Sequence, residues 1–127
     1  MKFWRKLKRL RADEFRLKLE KECLGQGLAK PEIIEEMLGS IKLRINLATN
    51  SYIDLYFNED TETLTSALVM DGSRVFGING YPRRGQWHLH PTESVREHVR
   101  VKPMGIRTIV KEYVAVVRKL RIKKTER

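Results

Sequence analysis

Apolar and polar residues alternate along the middle of the chain, which predicts a series of β-strands. The clearest example is the segment 41–48, in which every second residue is Ile or Leu. Because successive side chains of a strand point to opposite faces, this segment reads as a half-buried strand. Four more segments share the pattern or are rich in strand-forming residues, namely 52–57, 63–70, 74–78 and 87–90. The sequence therefore predicts an antiparallel meander of about five strands.

Helical periodicity flanks the predicted sheet on both sides. Residues 1–24 and 104–122 carry apolar residues at three- and four-residue steps, which is typical of helices with one buried face. Pro31 at a first-turn position predicts a further short helix that ends at Gly39. Residues 93–99 are compatible with a single helical turn. The C-terminal helix is expected to be amphipathic and to pack on the sheet.

Together these elements predict an α+β fold with helices on one face of an antiparallel sheet. A chain of 127 residues is expected to be a single domain, residues 1–127. Its parts are a helical N-terminal part (1–39), the antiparallel sheet (40–91), and a C-terminal helix with a basic tail (92–127).

The formal net charge of +10 is the strongest indication of what the protein binds. Such a charge favours polyanionic partners, so RNA or the ribosome is the expected partner; a merely solubilising role and contact with a membrane surface are the alternatives. The basic residues are concentrated at the two ends of the chain. The candidate RNA-binding residues are Lys2, Arg5, Lys6, Lys8, Arg9, Arg11, Arg118, Lys119, Arg121, Lys123 and Lys124.

Other global features exclude several classes of protein. No apolar run approaches the roughly 18 residues needed to span a bilayer, and the N-terminus does not have the pattern of a signal peptide. A cytoplasmic protein without a membrane partner is therefore expected. Cys23 is the only cysteine, so neither an intrachain disulfide nor a thiolate metal cluster can form. In its helical setting Cys23 is expected to be a small core residue.

The candidate chemistry lies between Gly85 and His98, a segment that contains all three histidines of the chain. In the predicted strand, His88 and His90 share one face, whereas Trp87 and Leu89 share the other. One interpretation makes His88 and His90 general acid/base groups in RNA cleavage, with Arg83 and Arg84 on the phosphate. This interpretation needs no cofactor.

Two further interpretations of the histidines stay open. His88, His90 and His98 could supply three neutral nitrogens to a zinc-like ion and leave one coordination position free, provided that His98 folds back. Alternatively, the histidines are ordinary residues of a solvated sheet face, and Arg83 and Arg84 are ordinary loop charges.

Part of the sequence resembles a known family. The stretches Ser51–Glu59, Arg74–Ile78 and Trp87–Pro91, followed by His98, resemble the TumE-type toxins of prokaryotic toxin–antitoxin modules, across roughly residues 40–120. The order of elements is also similar to that of RelE-type ribonuclease toxins. The resemblance implies a small basic protein that binds an acidic antitoxin and acts on RNA or on the translation machinery. His88, His90 and His98 match the histidine signature of the TumE-type family.

Three hypotheses follow from the sequence. The first is an RNA-directed, toxin-like protein, with metal-independent endoribonuclease activity as its enzymatic form. The second is a non-catalytic RNA- or ribosome-binding module, and the third is a metal-dependent enzyme with a three-histidine site. A homodimer is an open alternative for the quaternary structure.

Overall fold

A single antiparallel sheet organises the fold, and its seven strands lie side by side in chain order. The computed structural model describes residues 10–120 and residue 122. Among these residues, helix α1 (Ala12–Gly25) precedes the sheet and helix α2 (Ile106–Lys119) follows it. The strands are β1 (Glu32–Met37), β2 (Ser40–Ala48), β3 (Ser51–Asn58), β4 (Thr63–Met70), β5 (Ser73–Tyr81), β6 (Gln86–His90) and β7 (Val99–Arg100). A short 3₁₀ helix, Pro82–Arg84, connects β5 and β6.

The register of the strands collects the apolar side chains on one face. Ile41 lies opposite Phe57, and Leu43 lies opposite Leu55, so that the alternating residues of β2 and β3 share that face. All four side chains are buried. Burying one apolar face and leaving the other polar is the usual arrangement of an antiparallel sheet.

Both helices pack against this apolar face. The ring of Phe15 in α1 stacks on Phe57, with centroids 4.6 Å apart. The ring of Tyr113 in α2 meets Phe76 edge-on at 5.3 Å. The Tyr113 hydroxyl also lies 2.7 Å from the Ser66 hydroxyl, so this polar group is satisfied within the core. Neither helix is long and apolar enough to cross a membrane, and this holds for the described part of the chain.

The predicted α+β architecture, with an antiparallel meander and a C-terminal helix on the sheet, is confirmed. The structure has seven strands where about five were expected. Asp71-Gly72, a dipeptide typical of tight hairpins, joins β4 to β5: both residues have positive φ, at 50° and 81°, as a tight hairpin of this type requires.

Three details of the helix prediction are wrong. The predicted helix after Pro31 is strand β1, because Gly39, at φ 83°, closes a two-residue hairpin loop to β2 instead of ending a helix. Residues 93–99 form turns and enter β7 instead of making a helical turn. Helix α2 is shorter than the predicted 104–122. Of the predicted helix 1–24, residues 1–9 lie outside the described residues.

Close packing of Trp87 on Gly80 leads to a stability prediction. A Cβ atom added to Gly80 would lie 2.5 Å from the Trp87 ring, so Gly80→Ala should force the indole out of place. We expect a loss of about 1–3 kcal/mol in the free energy of unfolding, measured by urea denaturation. Gly25→Ala is the matched control, because a Cβ atom there meets nothing within 4 Å. Equal stability of the two variants would contradict the packing described.

Candidate metal centre on the open face of the sheet

Strand β6 places His88 and His90 on the face of the sheet that the helices leave open. Trp87 and Leu89 alternate with them and pack against the core. Across the strand pair, Ile78 lies opposite Leu89, and its side chain is fully buried. Since neighbouring residues of a strand point to opposite faces, the two imidazoles point away from α1 and α2.

Gly77 makes room for His90. The two residues are register partners on β5 and β6. A Cβ atom on Gly77 would lie 3.6 Å from Cδ2 of His90 and only 2.9 Å from the carbonyl oxygen of Ser66. A side chain at position 77 would therefore crowd both the neighbouring strand and the imidazole.

The segment between β6 and β7 brings His98 back to the other two histidines. It folds through successive turns, in which the Ser94 N–H donates to the Pro91 carbonyl and the Glu97 N–H donates to the Ser94 carbonyl. The ring centroid of His98 lies 4.4 Å from that of His90 and 4.8 Å from that of His88. One nitrogen from each of the three rings lies within 4.8 Å of the others. The three residues are called the histidine cluster below.

His90 is the most constrained member of the histidine cluster. Its side chain is 4% exposed, whereas His88 is half-buried and His98 is exposed. Nδ1 of His90 lies 2.8 Å from the Val95 carbonyl oxygen, which can only accept, so Nδ1 carries the proton. The lone pair is therefore on Nε2, which the Asn79 amide approaches at 3.4 Å. Asn79 itself is oriented by the Ser66 N–H, which donates to its Oδ1 atom.

The surroundings favour neutral imidazoles. Burial lowers the pKa of His88, and the positive forms of His98 and His90 lower it further. Burial also lowers the pKa of His90, partly opposed by the hydrogen bond to Val95, while Arg74 and His98 lower it further. Neutral imidazole is the form that binds metal ions.

Arg84 lies close to the histidine cluster through an aromatic contact. Its guanidinium carbon lies 5.6 Å from the centroid of the Tyr81 ring, and that ring lies 5.6 Å from the ring of His88. Arg83 is exposed in the same 3₁₀ helix. Of the residues predicted to act together, the structure thus joins His88, His90 and His98 directly, and Arg84 through Tyr81.

Of the basic residues predicted to bind RNA, the three that the structure describes, Arg11, Arg118 and Lys119, do not belong to the histidine cluster. Arg11 and Arg118 are exposed at the helices that cover the opposite face of the sheet. Lys119 binds Glu93 at 2.6 Å and Thr92 at 3.1 Å, in the segment that leads from His90 to His98. The remaining candidates lie outside the described residues, namely Lys2, Arg5, Lys6, Lys8, Arg9, Arg121, Lys123 and Lys124.

Sequence reasoning missed three residues beside the histidine cluster. Asn79 contacts His90, Arg100 lies opposite His88 in the β6–β7 pair, and the charge of Arg74 acts on His90. Cross-strand register brings Asn79 and Arg100 to the site, and nothing in the local sequence around them indicates it. The Asp71-Gly72 dipeptide predicts the hairpin between β4 and β5, but it carries no information about the pairing of β5 with β6.

Cys23 is not part of any reactive site in the described chain. Its side chain is fully buried in α1, as expected for a core residue. Burial, with the charges of Glu22 and Glu20, raises the pKa of the thiol to about 12. A thiol with such a pKa is not nucleophilic near neutral pH.

Three comparisons of the chain, with protein-family models, with curated proteins and with solved structures, find no match.

The pKa of His90 leads to a prediction for the metal-free protein. Its pKa is lowered on folding, whereas the unfolded value is about 6.5. The neutral ring therefore contributes stability that is present above that value and is lost as pH falls through the lowered pKa. We expect His90→Gln to reduce the fall in unfolding free energy between about pH 7.5 and about pH 5, measured by urea denaturation with a chelator present. Identical pH dependence in the two proteins would refute this.

Proposed function

We propose that the histidine cluster binds one divalent transition-metal ion, such as zinc, and that the protein is a metal-dependent hydrolytic enzyme. The observation that carries the proposal is the convergence of three imidazoles from β6 and from the turn before β7 within 4.8 Å. Three protein ligands and one open position are the usual composition of a catalytic zinc site. The open position would face the side of the sheet opposite α1 and α2.

The chemistry of the three side chains fits a metal ion. His88 and His90 both have lowered pKa values, so that little free energy is needed to remove protons before the metal binds. The Nδ1–H group of His90 donates to the Val95 carbonyl, which is the type of outer contact that orients a metal-binding histidine and leaves Nε2 as the ligand. A metal ion at Nε2 would replace the long hydrogen bond from Asn79.

The distances require a small adjustment on binding. Zinc–nitrogen bonds of about 2.0–2.1 Å place ligand nitrogens roughly 3.4 Å apart in a tetrahedral site. The nitrogens of the histidine cluster lie within 4.8 Å of one another, so at least one ring must move closer. His98 is exposed and can make this movement, whereas His90 is held by Val95.

The same geometry weakens the interpretation of His88 and His90 as a metal-independent acid/base pair. General acid catalysis needs a protonated group, and burial lowers the pKa of both His88 and His90, with the positive form of His98 acting in the same direction. In addition, His90 is 4% exposed and cannot reach a substrate directly. A bound metal ion would instead lower the pKa of its water molecule and so supply the nucleophile at neutral pH.

A metal-independent, RNA-directed activity of the toxin type is the second candidate. The observation that favours it is the row formed by Arg84, Tyr81 and His88, in which a cation and an aromatic ring lie beside an imidazole. In this function His88 and His98 would transfer protons, and Arg84 would contact the phosphate. RNA or the ribosome would be the target, and an acidic antitoxin the protein partner.

Metal binding is tested by titrating the chelator-treated protein with Zn²⁺ in a calorimeter. We expect wild type to bind one ion per chain. His98→Ala should lower the Zn²⁺ affinity by more than the roughly 10–100-fold that is typical when a residue hydrogen-bonded to a metal ligand is replaced. His98 is exposed, so this variant should fold normally. Arg96→Ala is the control, because Arg96 is an exposed residue of the same segment between β6 and β7.

Hydrolysis of a labelled RNA, with and without a chelator, separates the two candidates. Activity that a chelator abolishes and Zn²⁺ restores supports the metal-dependent enzyme. Activity that survives chelation but is lost in His88→Ala supports the second candidate and refutes the first. Unchanged Zn²⁺ affinity in His98→Ala would also refute the metal site.

A further inference from the structure

A groove of about 500 Å³ runs across the open face of the sheet beside the histidine cluster. The residues that line it include Lys42, Tyr56, Thr65, Arg74, Asn79 and Tyr81. Two of them connect the groove to the cluster: the Asn79 amide approaches His90 at 3.4 Å, and the Tyr81 ring lies 5.6 Å from that of His88. A ligand in this groove would therefore lie next to the proposed metal position.

The charges of the open face are unevenly distributed. At the β1–β3 end, acidic and basic residues neutralise one another: Arg44 binds Asp54 through two hydrogen bonds of 2.7 and 3.1 Å. Glu35 lies opposite Lys42 in the β1–β2 pair. This half of the face has little net attraction for an anion.

The half of the face at β5–β7 is positive. Arg74 lines the groove, and Arg100 lies opposite His88. Within residues 10–120 and 122, neither of them forms an ion pair. Arg84 adds a third positive charge beside Tyr81. An anionic group is therefore attracted to the side of the groove that adjoins the histidine cluster.

Aromatic rings accompany these charges. Tyr56 and Tyr81 both line the groove, and the side chain of Tyr56 is 36% exposed. Unpaired nucleobases stack on such rings, whereas the bases of a duplex are already stacked on one another. Cationic groups that track a backbone, combined with exposed aromatic rings, are characteristic of proteins that bind single strands.

We infer that the groove binds single-stranded nucleic acid, with a base against Tyr56 and a phosphate at Arg74. The inference names a substrate class for the proposed metal centre. The reaction rests on the proposed function, whereas binding in the groove does not. Hydrolysis of the phosphodiester forms a bond between phosphorus and the water oxygen and breaks the bond to the leaving sugar oxygen. That oxygen takes up one proton of the water, and the other proton is released to solvent.

Binding is measured by fluorescence anisotropy with fluorescein-labelled hexauridylate and the full-length, chelator-treated protein. Tyr56→Ala should weaken binding by about 5- to 100-fold, the range expected for loss of one stacked base. Arg74→Ala should also weaken binding, and it should reduce the slope of log K against log salt concentration by about 0.7, as loss of one phosphate contact requires.

Matched controls distinguish the groove from the rest of this basic protein. Arg107→Ala removes an exposed arginine at the start of α2, on the helical side of the sheet. Tyr52→Ala removes a tyrosine of the same strand that does not line the groove and stacks under Arg44 instead. Both controls should bind within about twofold of wild type, well below the loss expected at a stacking or phosphate contact. Wild-type affinity in Arg74→Ala and Tyr56→Ala, or equal losses in the controls, would overturn the inference.

Zn²⁺ titration of the same variants keeps the two proposals separate. Tyr56→Ala should bind Zn²⁺ as wild type does, and Arg74→Ala should bind it at least as tightly, because a positive charge that acts on His90 is removed. If neither wild type nor any variant binds Zn²⁺ but the groove variants have reduced hexauridylate affinity, the metal-site proposal is wrong and the inference about the groove is supported. If Zn²⁺ binds and the groove variants keep wild-type RNA affinity, the inference about the groove is wrong and the metal-site proposal is supported.

Discussion

The packing of both helices on one face of the sheet is the constraint on which the rest of the molecule depends. It is set by residues such as Ile78 and Leu68, which are fully buried beneath the helices. Because strand side chains alternate, a one-residue shift of β6 against β5 would exchange Leu89 for His88 and His90 in the core. Burying two imidazoles without partners would be costly. The apolar side of the sheet therefore determines where the histidines lie, although it takes no part in their chemistry.

Small residues on the open face have a different role from the large ones in the core. Gly77 leaves space for the ring of His90, and the Val95 carbonyl then fixes the tautomer of that ring. Asn79 is held in turn by the Ser66 N–H, so the group that faces Nε2 is also fixed. The ring of His90 is thus held in place, whereas the ring of His98 is exposed. This combination suits a site that must be formed before its ligand arrives and yet close around it.

The sequence predicted those features that depend on local pattern. Alternation located β2 to β6, and the shared face of His88 and His90 followed from their spacing alone. Gly39 shows where local pattern is ambiguous, since a glycine after an apolar run can end a helix or close a hairpin, and only the pairing of β1 with β2 decides between them. The positions of His98, Arg74 and Arg100 depend on contacts between distant segments. Hydrophobic periodicity carries no information about such contacts, which is why the sequence did not predict the groove.

The proximity of the histidine cluster and the positive half of the groove has an energetic consequence. Without metal, burial lowers the pKa of His90 and the charge of Arg74 lowers it further, so the surroundings of the site disfavour additional positive charge. An anion bound at Arg74 would offset this repulsion and make the cluster more attractive to a divalent cation. Linkage requires the reverse effect to be equally large: a metal ion on the histidines would strengthen anion binding in the groove by the same factor. Under the two proposals each ligand therefore helps to recruit the other, and the arginines that repel a metal ion in the ligand-free protein favour its binding once an anion occupies the groove.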